Sequence, residues 1–186
     1  MKNKARYQKV FVKVWLGETF ATISDRARLL WFYLLTSPET TMIPGIVPAP
    51  MGIISERLRW PESEVREAMA ELEVDGMATF DRGLAWLPAG IEHNPPDSAN
   101  NVVGWARIWS EVPACQLKAV AYDAILAHMR KRGPSFVAAF ESTCARPVFS
   151  NKNRMGQSAS TPSPTSPGRA SGRASHTPSR TQEQYQ

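Results

Sequence analysis

Residues 42–88 predict a mainly α-helical fold carrying a small antiparallel sheet, an α+β arrangement, and three observations carry that expectation. Val65, Ala68, Met69 and Leu72 recur at i, i+3, i+4 and i+7, so they share one face of a helix. Asp75-Gly76 follows, and glycine there supplies the left-handed residue on which helices commonly end. Met77-Ala78-Thr79-Phe80 and Leu84-Ala85-Trp86-Leu87 then flank Asp81-Arg82-Gly83, a hairpin loop with its glycine late in the turn. A shorter helix at about 51–59 precedes the periodic one across the turn at Trp60-Pro61. Helix, turn, helix and hairpin in that order is the pattern of a winged helix-turn-helix.

The remaining elements follow from local chemistry. Val10 to Trp15 is rich in β-branched and aromatic residues and predicts a strand, the third to join the hairpin. Ser24 is a good N-cap for a helix through Ala27, Leu30, Trp31, Leu34 and Leu35, which Ser37-Pro38 stops. Ile43-Pro44-Gly45-Ile46-Val47 reads as a loop or a short β bridge. Beyond the hairpin, Ile91 to Pro96 is expected to be extended. Asp97 or Ser98 then caps a helix through Val102, Trp105 and Trp109, which Val112-Pro113 breaks. A longer helix spans about 114–132, with Arg130, Lys131 and Arg132 in its last turn, where cations are favoured. Gly133-Pro134 ends it, and a short helix at 135–144 completes the ordered part.

This predicts a winged-helix domain over residues 5–93, a three-helix extension packed on it over 94–147, and a disordered tail over 148–186. From Asn151 onward the chain is rich in Ser, Thr, Pro, Gly, Gln and Arg, with Tyr185 as its one aromatic, too little apolar surface to offset the entropy of ordering. Nothing approaches the ~20 apolar residues of a membrane span, and no signal-peptide core begins the chain, so a soluble protein of the bacterial cytoplasm is expected.

No phosphate-cradling glycine motif occurs, and His93, His128 and His176 lie scattered, without metal-like spacing to Cys115 or Cys144. The two cysteines read as reduced core residues. The carboxylates at Glu62, Glu64, Glu67, Glu71 and Glu73 share one helix and do not form a convergent pair. No catalytic residue, metal or cofactor is expected, and the chain reads as non-enzymatic.

Charge points elsewhere. The net charge is +5, and the tail beyond residue 150 holds +4 of it. Lys2, Lys4, Arg6, Lys9 and Lys13 all precede the first acid, Glu18. Basic ends on a nearly neutral body suit a polyanion. The second helix of the pair, about 61–75, is the wrong charge to lie in a major groove, because it offers Arg66 against several carboxylates. DNA contact is therefore expected through Arg57 and Arg59, through Arg82 at the hairpin tip, through an arm of Lys2, Lys4, Arg6 and Lys9, and through Arg169 and Arg173. The acidic face of the second helix, with Glu67 and Glu71, either stays solvated while the helix supports the core or meets a basic protein surface, including another copy's N-terminus.

The runs FVKVW, LLWFYLLTSPETTMIPGI, AMAELEVDGMATFD, LAWLPAGIEHNPP and NNVVGWARIW resemble phage and prophage winged-helix proteins. These are similar in turn to the N-terminal domain of DnaD-type primosomal proteins and phage replisome organisers. The resemblance covers about residues 7–145. It implies a role in replication initiation: binding origin DNA, or bridging DNA to a helicase or its loader, often as an oligomer. It also implies a winged helix used for self-association more than for base reading. The chain departs from that pattern after Pro134, where a low-complexity tail stands in place of a second DnaD-type helical domain. Two other expectations stand beside replication: a dimeric winged-helix transcriptional regulator, and a protein-binding adaptor that never touches DNA.

Overall fold

Ser24 starts the first long helix, its hydroxyl accepting from the Ala27 N–H at 3.2 Å. That helix, α2 (Asp25–Thr36), follows a single turn, α1 (Glu18–Thr22), and buries Ala27, Leu30 and Leu34. Residues 9–148 are described in this computed structural model. After α2 come β1 (Ile46–Pro48), α3 (Met51–Leu58), α4 (Glu62–Val74), β2 (Thr79–Asp81) and β3 (Leu84–Trp86). The chain continues with α5 (Gly90–His93), α6 (Ala99–Val103), α7 (Ala106–Glu111), α8 (Gln116–Arg132) and α9 (Pro134–Thr143). The fold is mostly helical with one small antiparallel sheet, in the order β1-β3-β2.

The periodic stripe on α4 is buried as expected, with Val65, Ala68, Met69 and Leu72 all inside. Its end is a Schellman turn: Gly76 donates to the Glu73 carbonyl and Met77 to the Leu72 carbonyl, with Gly76 at φ +65. The hairpin closes through Arg82 and Gly83, both at positive φ, as a type I′ turn requires.

Each face of the sheet covers a different core, because side chains alternate along a strand. Val47, Ala85 and Leu87 face a core built with α1 to α4. Ile46, Leu84 and Trp86 face a second core built with α5 to α9. The hairpin is therefore covered on both sides, and β3 is buried throughout.

Three sequence expectations need correction. Val10 to Trp15 is not a strand; a 3-10 helix spans Val12–Leu16. Strand propensity measures fit to a paired, half-buried surface. The central strand β3 is paired on both sides by β1 and β2, and this segment adds no strand to either outer edge of the sheet. The helix expected through Val102 and Trp109 is two helices, α6 and α7, divided at Gly104-Trp105. The break turns Val102, Trp105 and Trp109 into one core. Ile91 to Pro96 is not extended throughout, since α5 takes its first three residues.

The second core holds an aromatic cluster. Phe140 is fully buried and its ring centroid lies 6.4 Å from Trp105, 6.0 Å from Trp109 and 5.0 Å from Tyr122. Beside it Lys118 is buried, its Nζ donating to the Trp109 and Val112 carbonyls at 2.7 and 2.8 Å. An ammonium thus satisfies acceptors at the end of α7, where cations suit the helix dipole. Burial lowers its pKa. Cys115 and Cys144 are free and buried here, and burial pushes the Cys144 thiol up to about 12.

Candidate nucleic-acid interface

The turn between α3 and α4 is rigidly built. Arg59 takes the left-handed conformation at φ 58, ψ 40, and its N–H donates to the Glu56 carbonyl. The Trp60 N–H donates to the Ser55 carbonyl, and the Ser55 hydroxyl donates to the Trp60 carbonyl at 2.5 Å. The Arg59 side chain is left exposed at this corner. Arg82 is exposed at the hairpin tip. The tip is pinned to the start of α3 by the Ala49 N–H, which donates to the Gly83 carbonyl at 2.7 Å.

Arg66 belongs with these two, although sequence reasoning counted it only as one cation among acids. It is exposed on α4, and its guanidinium reaches the Met51 sulfur at 3.5 Å, which places it at the same end of α3 as the hairpin tip. Arg59 stands at the other end of that eight-residue helix, roughly 12 Å away at 1.5 Å per residue.

Arg57 is less available than expected. Its guanidinium pairs with Glu39 at 3.4 Å, and Glu39 also accepts from the Tyr33 hydroxyl at 3.2 Å. Burial and the Glu39 charge push the Tyr33 pKa up to about 12. Lys9 lies elsewhere, its backbone N–H donating to Asn94 Oδ1 at 3.3 Å, at the end of β3 away from the tip. Lys2, Lys4, Arg6, Arg169 and Arg173 lie outside the described residues, as does the tail beyond residue 148.

The acidic face of α4 is largely engaged within the chain. Glu64 pairs with Arg26 at 3.0 Å, and Glu73 accepts from the Phe80 N–H at 2.9 Å. Glu71 accepts from both the Ser24 N–H and the Ser24 hydroxyl, at 2.5 and 2.6 Å. Its carboxylate is therefore already engaged within the chain. It ties α4 to the N-terminus of α2, where unpaired N–H groups and the helix dipole favour a carboxylate. Glu67 remains exposed.

One measurement separates these roles for Glu71. Glu71→Gln and Ser24→Ala should each lower unfolding free energy by about 1–2 kcal/mol. Together they should cost less than the sum, because they share one set of hydrogen bonds. Urea denaturation of the two single variants and the double variant reads this, and strict additivity would contradict it.

Among the described residues, no group of histidine, cysteine and carboxylate side chains is placed to hold a metal ion. Among the same residues, no helix is long and apolar enough to cross a membrane. No family model matches the chain, and searches of curated proteins and of solved structures found no match.

Proposed function

We propose that this chain is a non-enzymatic winged-helix protein that binds duplex DNA and acts in replication initiation of the phage or prophage type, inside the bacterial host cell. The observation that carries the DNA reading is the arrangement of α3, α4 and the hairpin. Helix, strand, helix, helix and hairpin run in the winged-helix order, and the sheet order β1-β3-β2 agrees with it. On that scaffold Arg59, Arg66 and Arg82 are exposed on the turn, the second helix and the tip. They engage phosphates, and the basic ends add contacts without sequence preference.

The replication role rests on the resemblance across residues 7–145. Its partners on this reading are DNA, further copies of the chain, and a replicative helicase or loader. Base reading along α4 is a minor part, because Glu62 and Glu67 stand exposed on the helix that a groove would receive.

The test is fluorescence anisotropy with labelled duplex DNA at several salt concentrations. Arg59→Glu, Arg66→Glu and Arg82→Glu should each weaken binding across unrelated sequences. Each should also flatten the slope of log K against log salt by about 0.9. Binding unchanged in all three variants would reject this surface. Footprinting then distinguishes protection of a replication origin from protection of a promoter palindrome, the mark of a transcriptional regulator.

A further inference from the structure

Residues 9–17 cross the body as a strap fastened at both ends. At one end the Lys9 N–H is held by Asn94, and the Phe11 ring lies 5.1 Å from the His93 ring. At the other, Trp15 meets Phe20 edge-on at 5.1 Å and Phe32 at 6.1 Å. Between these fastenings a cleft of about 530 Å³ opens, with Val10, Val14 and Leu16 on the strap side and Trp31, Leu35 and Leu87 on the body side. Its polar lining is cationic or neutral: Lys9, Lys13, His93 and Asn94, with no carboxylate. Leu16 on the cleft's rim is 85% exposed, and the apolar surface continues outside the cleft, where Val12 is 87% exposed and Trp15 61%.

An apolar cleft of ligand size with cations on its lip and open apolar surface beside it has the chemistry of a docking groove. We propose that it takes an acidic, amphipathic peptide segment of a partner protein. Apolar anchors of that segment fill the cleft, and its carboxylates meet Lys9 and Lys13.

The chain itself offers no good occupant. Residues 1–8 carry Lys2, Lys4 and Arg6 without an acid, and residues 151–186 carry a net charge of +4 with few apolar side chains. Both would be repelled by the lip. A second copy is a poor fit as well. Among the described residues, large apolar side chains exposed away from the strap are dispersed, and Val74 on α4 is the one set among carboxylates. One valine does not fill this cleft. The inference stands independently of DNA binding, since Arg59, Arg66 and Arg82 do not line the cleft.

The experiment uses the full chain and three labelled probes: a short amphipathic peptide of Leu, Phe, Glu and Asp, its Lys and Arg counterpart, and oligodeoxythymidine. Anisotropy should show saturable binding of the acidic peptide and none of the basic one. Ala89→Trp fills the cleft from an exposed position and should abolish binding. Lys9→Glu with Lys13→Glu should weaken it at least tenfold, and circular dichroism checks that each variant is folded. Absence of acidic-peptide binding, or equal binding of the basic peptide, would overturn the proposal. So would oligodeoxythymidine binding lost in both variants, which marks a single-strand groove, or self-association in sedimentation that Ala89→Trp removes, which marks a second copy.

Discussion

Gly90→Ala is expected to destabilise the protein by about 2–4 kcal/mol, against the sign that helix propensity predicts. Gly90 opens α5, and alanine in a helix is ordinarily favoured over glycine by about 1 kcal/mol. Here a Cβ would lie 2.5 Å from the Gly45 Cα and 2.6 Å from the Gly45 nitrogen. Both are backbone atoms, so no side chain can swing away. Gly45 is bound on its other side too, since its carbonyl accepts from the Leu87 N–H at 2.8 Å. Gly45→Ala should cost still more, about 3–5 kcal/mol. Its φ of +84 disfavours any L side chain, and its Cβ would meet the Leu87 carbonyl oxygen at 2.5 Å and the Trp86 ring at 2.7 Å. Gly76→Ala is the control: φ is +65 there, but a Cβ meets nothing within 4 Å, so about 1 kcal/mol of backbone strain is the whole expected cost. Urea midpoints for the three variants measure the series. No loss at Gly90, whose φ is not positive, with equal losses at Gly45 and Gly76, would show that conformational strain, and not the crossing of two backbones, sets the cost.

That crossing was not legible in the sequence, and the reason is physical. Gly45 and Gly90 each look like ordinary turn residues, and their contact joins positions 45 residues apart. The features read correctly were local ones. The Ser24 cap, the Val65 to Leu72 stripe, the Gly76 stop and the Arg82-Gly83 turn are each decided within a few residues. Several departures needed long-range information. Val10 to Trp15 has strand chemistry, but it packs its rings against Phe20, Phe32 and His93 and does not pair with the sheet. Arg57 and Glu71 look like free surface charges until Glu39 and Ser24 arrive from other elements. For the candidate site, Arg59 and Arg82 were legible because a helix end and a hairpin tip are exposed by construction. Arg66 was missed because helix periodicity reveals which face points outward but not which neighbouring element that face meets. The strap cleft was hidden for the same reason: its walls come from residues 9–17, α2 and the stretch after β3.

Phe140→Ala is expected to cost about 3–5 kcal/mol, the usual range for emptying a buried aromatic site. The side chain is fully buried and three rings rest against it, so the cavity has rigid walls that do not collapse readily. Its more informative consequence concerns cooperativity. Phe140 belongs to the second core, far in sequence from α2 to α4, and a separate unit would melt alone when weakened. The two cores are not separable in that way. Ile46, Leu84 and Trp86 carry the second core on the same strands whose Val47, Ala85 and Leu87 carry the first. Losing α8 and α9 would bare one face of a three-stranded sheet, including the indole of Trp86, and that sheet is too short to stand with one face uncovered. A single unfolding transition, shifted as a whole, is therefore expected for the variant. Far-ultraviolet circular dichroism and tryptophan fluorescence should trace coincident urea curves, in the wild type and in Phe140→Ala alike. Separate midpoints would mean that α2 to α4 and the hairpin hold together without the second core. The surface proposed for DNA at Arg59, Arg66 and Arg82 would then survive removal of residues 94–147, whereas one shared transition makes that extension a condition for the surface to exist.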